Sequence, residues 1–526
     1  MLRHASKFLI FGVLVAVVAL PFVLRQLGVG DTQAVTLPKG VAADRLIVVT
    51  PHNEQIRSEM AAGFNRWRKV AALGPVEFDW RASGGTTDLR RSILAQFTAL
   101  GQGGRSLDEG IGLDLFFGGG TYDHEKVAAG VRLGDVMEPV AMAPDLPEGL
   151  LGQVFPKATL GGERLMHPDH LWIGTALSSF GIVYNRDVLV MLKTDAPQTW
   201  SDLADPVYAH WLAAADPSHS GSIAAAFNTV LRRQGWTEGW DTLRRVFANA
   251  RYFSSSATRV PVDVSAGEAA AGMCIDFYGR TQAQAVRSDG WSGDVDRTGM
   301  SRLGYIDPQV NGASMTATTA DPITLLRGAP HRDLAEQFIA WLLSQEGQRL
   351  WQAAPGTPGG PQREALRRQP IRRDLYTPVG RAGWTDAQLD PFVTAVDFPQ
   401  GTPDYFGFVA PVTHAMAIDV HDDLVAAWAA LQATPVTHPQ YADMQRLFDA
   451  MPEALTPAWP DTELAADHVA VLADSQHPRH DEAVGVLQVM IHALATRKAD
   501  QKLRDAQQWT RFFQNNYRQV VALGAL

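Results

Sequence analysis

The polarity pattern of this chain opens with a strand and a helix. Residues 45–50 (RLIVVT) form an apolar, β-branched run, and residues 54–70 repeat apolar positions at helical spacing. Residues 76–81 (VEFDWR) predict a second strand and residues 113–117 (LDLFF) a third; between them, residues 88–100 place Leu89, Ile93, Leu94 and Phe97 on one helical face. This alternation predicts a parallel sheet. Each strand runs into a polar loop: Pro51, His52 and Asn53, then SGGTT at 83–87, then GGGT at 118–121. Loops at one edge of such a sheet converge, and their amides together with helix N-termini form a site for anions or polar groups. Tight turns alone would account for the same glycines.

A second unit is predicted from about residue 138. Strands at 172–173 and 180–185 flank Ser178 and Ser179, and Ser220 and Ser222 stand at the start of a helix over 223–234, placed to cap it or to reach a ligand. Residues 265–280 (SAGEAAAGMCIDFYGR) read as a helical turn containing Gly267 and Glu268, then a buried strand, with Asp276, Phe277 and Tyr278 at its end and Gly279 breaking it. Strand-like stretches at 304–306 and 314–318 precede an amphipathic helix over 331–353. The pattern predicts an α/β lobe (45–137), a second α/β lobe (138–303) and a return to the first (304–403), with a cleft over hinge strands. Beyond residue 404, apolar positions at helical spacing in 419–432, 440–454, 461–473 and 481–517 predict a helical extension over 404–526.

Composition adds an address and removes some function classes. Arg3, His4 and Lys7 precede an apolar run over 8–20, extended to Leu24, which is the pattern of an export signal. No small-residue cleavage site follows it, so residues 1–28 are either a signal peptide or an uncleaved anchor, and residues 29–44 a tether. The net charge of −10 argues against a nucleic-acid surface. The single cysteine, Cys274, sits in an apolar run and reads as a buried, inert thiol. No GxSxG elbow, HExxH helix or phosphate-binding P-loop occurs, and His167 and His170 supply at most half of a metal site.

Five segments together carry a resemblance: LIVVTPHNE at 46–54, SFGIVYNRDVL at 179–189, TWSDLADPVY at 199–208, GEAAAGMCIDFYGR at 267–280 and HRDLAEQFIAWLLSQEGQRLW at 331–351. In this order they resemble the extracellular solute-binding proteins of ABC importers, in the branch of ferric-iron, thiamine and phosphonate binders. The resemblance implies a two-lobed type II periplasmic-binding-protein fold that closes on a solute. It also implies delivery to ABC permease subunits from the periplasm, by a monomer held to the inner membrane if residues 8–24 remain. No cofactor, catalysis or nucleic-acid partner is implied.

The candidate ligand-binding residues are His52, Asn53, Ser83, Gly84, Gly85, Thr86, Gly119, Thr121, Ser178, Ser179, Ser220, Ser222, Asp276 and Tyr278. His52 and Glu54 match a ferric-binding pair in the first loop, but Phe277 and Tyr278 stand where those relatives carry two tyrosines. Phe277 cannot ligate a metal. A bound cation would fall to His52, Asp276 and Tyr278; an oxyanion would take the hydroxyls and amides, with Asp276 repelling it if it shares the cavity. The expected function is solute binding for import of iron or an organic or inorganic anion. A membrane-tethered sensor or scaffold is the alternative, and an exported hydrolase a weaker one.

Overall fold

The computed structural model describes residues 44–82, 84–286 and 301–525, so the expected export segment, nearly all of the tether and the candidate Ser83 lie outside the described residues. Strands Asp44–Val49, Val76–Arg81 and Leu115–Phe117 pair in parallel, as their alternation with helices predicts. Four further strands extend this sheet to seven. Thr319–Leu326 runs antiparallel to Leu115–Phe117, to Ile173–Ser178 and to Ala141–Met142, and Gln369–Pro370 closes the far edge. The second sheet has five strands in the order Ala250–Ser254, Leu212–Ala215, Ala271–Ile275, Phe180–Asn185 and Leu303–Ile306.

The chain crosses between the sheets at two places, through Ser179 and through residues 307–318. Ile173–Ser178 and Phe180–Asn185 are consecutive in sequence yet belong to different sheets. The first lobe therefore extends past the expected boundary near residue 138 to Ser178, because Ile173–Ser178 pairs with the returning strand Thr319–Leu326, a long-range partner that periodicity does not reveal. The returning strand itself is Thr319–Leu326 rather than 314–318.

Two helical expectations shift for local reasons. Gly267 ends helix Arg259–Ala266 with a φ of 76°, a left-handed C-cap, so it does not open a helix. Asp276, Phe277 and Tyr278 form the first turn of helix Asp276–Ala285 instead of a strand-end loop. Gly279 lies inside that helix, where a Cβ would come within 2.3 Å of the Tyr305 ring. The expected helix over 331–353 breaks at Ser344, whose hydroxyl accepts from the Gly347 N–H to start a second short helix.

The C-terminal extension is helical, as expected, and its last expected helix divides into His480–Ala495 and Ala499–Gly524. It packs on the second lobe and shares its core. Trp236 Nε1 donates to the Leu455 carbonyl at 2.7 Å, and Trp428 Nε1 donates to Asn249 Oδ1 at 2.9 Å.

Among the titratable docking contacts, the His414 pair is the most strongly shifted. His414 Nε2 lies 3.1 Å from Asp216 and its Nδ1 lies 3.1 Å from Asp419. The bond to Asp216 raises His414 from 6.5 to about 9, against the opposing effect of burial. Burial alone would raise Asp216, but its bonds to His414 and Ser218 bring it down to about 2. The pair's contribution is complete between about pH 4 and 6.5. It is lost as pH rises through about 9, where His414 gives up its proton, and as pH falls through about 2, where Asp216 gains one. Allowing for solvent screening, the pair should account for about 1–2 kcal/mol of the stability lost between pH 6 and pH 9.5 in urea unfolding, a difference that His414→Gln reduces by that amount. An unchanged difference in the variant would contradict this.

Candidate functional site

A cavity of about 500 Å³ lies between the two lobes. From the first lobe, the loops after Asp44–Val49 and Leu115–Phe117 bring His52, Gly119 and Thr121 to its wall, and helix Thr86–Gln102 brings its first residue. From the second lobe come Ser222 at the start of helix Gly221–Gln234, and Phe277 and Tyr278 in the first turn of Asp276–Ala285. Ser178 lines the floor beside the crossing.

Backbone approaches there are close enough to exclude side chains. A Cβ on Gly119 would lie 2.2 Å from Thr86 Cγ2, and one on Gly221 would lie 2.9 Å from Asp123 Oδ2 and 3.7 Å from Thr86 Oγ1. A Cβ on Gly85 would fall 2.0 Å from the His219 carbonyl oxygen, so the lobes touch at this edge. The N-termini of helices Thr86–Gln102, Thr121–Ala129 and Gly221–Gln234 thus converge. The first two have no side-chain cap, which leaves their N–H groups available.

The polar centre of the wall is Asp321, which the sequence reading passed over. Its carboxylate accepts from His52 Nε2 at 2.9 Å and from the Gly119 N–H at 2.9 Å, and pairs with Arg368 Nη1 at 2.8 Å. Burial by itself would raise Asp321, but the Arg368 charge and the bonds from His52 and Gly119 hold it far below the usual carboxylate range. Burial lowers His52, with Asp321 opposing, so the ring is neutral and donates through Nε2. Arg368 lies over the Phe277 ring at 4.2 Å, and its Nε and Nη1 make no hydrogen bond among the described residues.

Several candidates do other work. Asn53 caps helix Glu54–Val70 through the Ile56 N–H, and Ser220 caps Gly221–Gln234 through the Ile223 N–H. Gly84 and Gly85 form the turn into Thr86–Gln102 without lining the cavity. Ser179 donates to Asp307 at 2.7 Å, and Asp276 faces a separate cavity of about 150 Å³ behind the crossings, with Arg280 and Asp307. Burial pushes Asp276 up to about 7, with Arg280 pulling down and Asp307 pushing up. His52, Asp276 and Tyr278 therefore do not face a common cation, and Glu54 is exposed away from the cavity. Among the described residues no group of three or more His, Cys, Asp or Glu side chains could hold a metal ion.

Besides Asp321 and Arg368, the cavity takes Tyr122, Glu163, Arg232 and Asn228, and Asp404 and Phe406 from the extension. One signal was available: Asp321 interrupts the run TADPITLL, and a carboxylate inside a buried strand needs partners. Arg368 and Asp404 carry no comparable local mark.

Comparison with known proteins agrees with this architecture. Residues 152–378 match the family described as bacterial extracellular solute-binding protein. The phosphoglycerate transport regulatory protein PgtC of Salmonella typhimurium is 28% identical over 180 residues, 34% of this chain and 40% of that protein. An uncharacterized protein of Haemophilus influenzae is 25% identical over 238 residues, 45% of this chain and 60% of that protein. The chain thus spans less than two thirds of each of these curated relatives. The periplasmic binding protein AfuA of Actinobacillus pleuropneumoniae, solved with fructose-6-phosphate, superposes with a TM-score of 0.50 at 17% identity, covering 74% of this chain and 98% of that one, a likeness of fold. The expected resemblance holds as a match: this chain has the two-lobed periplasmic-binding-protein fold, and its residues 152–378 match the bacterial extracellular solute-binding family.

Proposed function

We propose that this protein binds a small phosphorylated organic solute in the interlobe cleft, outside the cytoplasm, and presents it to the permease of an ABC importer. The observation that carries this reading is the convergence of three helix N-termini and Arg368 on one cavity without a metal-ligand cluster among the described residues. Backbone N–H groups, hydroxyls of Thr86, Thr121 and Ser222, and one guanidinium suit a phosphate. The repulsion feared from Asp276 does not arise, since that carboxyl lines the other cavity. The relatives named for phosphoglycerate and solved with fructose-6-phosphate point to the same ligand class.

Export rests on the apolar run over 8–24, which as a retained segment would tether the protein to the inner membrane. Among the described residues no helix is long and apolar enough to cross a membrane. The test is a thermal-shift and calorimetric screen of phosphoglycerate, fructose 6-phosphate, inorganic phosphate, ferric citrate and thiamine. A phosphorylated compound at a hundred times its Kd should stabilise the protein by about 2.7 kcal/mol. Stabilisation by ferric citrate, with none by the phosphorylated compounds, would sink the reading.

A second reading, a tethered sensor, is favoured by the extension that shares the second lobe's core and lines the cleft. Deleting the gene should abolish uptake of the solute in the first case and alter only solute-dependent transcription in the second.

A further inference from the structure

The cleft carries two chemistries at opposite ends. At one end lie the helix N-termini and Arg368. At the other, along helix Gly221–Gln234, lie Asn228 and Arg232, seven and eleven residues beyond Gly221 and hence about 10 and 16 Å along the axis. A phosphate at the first end leaves the second end unfilled, so a ligand that uses both must extend.

The second end is built in part by the C-terminal region. Asn228, itself buried, donates through Nδ2 to Asp404 Oδ1 at 2.9 Å and accepts from the Tyr405 N–H at 3.0 Å, which seats this segment on the second lobe. Asp404 Oδ1 also accepts from the Phe406 N–H at 3.1 Å, while its other oxygen makes no hydrogen bond among the described residues. Arg232 is paired with Glu163, so its charge is already met. From the first lobe, Tyr122 stacks on Phe406 with ring centroids 4.2 Å apart, and both residues line the cleft.

We propose that the C-terminal region completes the solute site, with Asp404 and Phe406 forming the wall that receives an uncharged polyhydroxyl end of the phosphorylated solute. This rests on the reading of the cleft as a phosphorylated-solute site and specifies what the phosphate is attached to. A free carboxylate oxygen accepts from vicinal hydroxyls, and an aromatic ring packs against the apolar face of a sugar. The same carboxylate repels a second acidic group on the ligand. A sugar phosphate is thereby preferred to a phosphorylated acid.

The experiment is titration calorimetry of the full chain with fructose 6-phosphate, phosphoglycerate and inorganic phosphate, in wild type, Asp404→Asn and Phe406→Leu. Asn keeps an oxygen for the Asn228 and Phe406 N–H groups, and unchanged thermal unfolding verifies the fold. Wild type should bind fructose 6-phosphate more tightly than phosphoglycerate. Asp404→Asn should weaken fructose 6-phosphate about tenfold, leave inorganic phosphate within about twofold and leave phosphoglycerate unchanged or tighter. Phe406→Leu should weaken fructose 6-phosphate severalfold, again sparing phosphate. Equal loss for all three ligands would make the wall merely structural and overturn the proposal, and so would no change for fructose 6-phosphate. If wild type binds none of the three, the phosphorylated-solute reading fails and this proposal with it; if wild type binds them without the variants discriminating, only this proposal fails.

Discussion

Arg244→Met is expected to cost about 3–5 kcal/mol of stability, the largest effect of any single substitution considered for this protein. Arg244 projects from helix Trp236–Ala248 of the second lobe and is fully buried. Its guanidinium donates to the carbonyls of Phe448 and, at 3.1 Å, Ala450, and lies over the rings of Phe448 and Phe513 at 5.9 and 5.6 Å. Methionine fills much of the volume but leaves both carbonyls without donors. It also removes the larger of two counter-charges from Asp241: burial already pushes that carboxyl up to about 6, with Arg244 and, less, Arg245 pulling it down. Urea unfolding followed by circular dichroism measures the loss, and limited proteolysis should release fragments of the extension from the variant only. A midpoint unchanged from wild type, with no new cleavage, would show that the extension docks without this anchor.

The second large effect falls on binding. Arg368→Gln should weaken a phosphorylated solute by about two orders of magnitude, since a guanidinium and helix N-termini then reduce to helix N-termini alone. Stability should fall as well, by about 2–4 kcal/mol, because Asp321 remains buried with only His52 and the Gly119 N–H as partners. Arg368→Lys should recover little of the affinity, as an ammonium lacks the planar, delocalised guanidinium that pairs with Asp321 while lying over Phe277. Calorimetry with phosphoglycerate and fructose 6-phosphate separates the two losses. Wild-type affinity in Arg368→Gln would leave Arg368 as a clamp on Asp321 and no more.

These two arginines mark the difference between what neighbouring residues encode and what distant ones do. The parallel start of the first sheet was legible because RLIVVT, VEFDWR and LDLFF are each apolar over the length of a strand and each alternates with a helical pattern. His52, Thr86, Gly119 and Thr121 were legible with it, since loops after parallel strands share an edge. Ser178, Ser222 and Tyr278 also reach the cavity. Asp276, two residues before Tyr278, does not, because a helix begins at Asp276 and turns side chains two positions apart in different directions, one to the cleft and one to the hinge cavity. A strand reading of the same residues misassigns which of them share a face.

From sequence alone, the order of elements determined an α/β architecture in two lobes with a helical extension, and the five ordered segments determined the resemblance to solute-binding proteins. These are properties of local periodicity and of motif order along the chain. Only the tertiary structure decided that the crossing lies at Ser179, that Asp321 is held by His52 and Arg368 from positions 269 and 47 residues away, and that Asp404 and Phe406 join the cleft wall. Each of those facts depends on pairing between segments whose separation leaves no periodic trace. The energy that brings them together comes from burying a core shared by both lobes and the extension, and a core of that kind is a property of the folded chain rather than of any stretch of it.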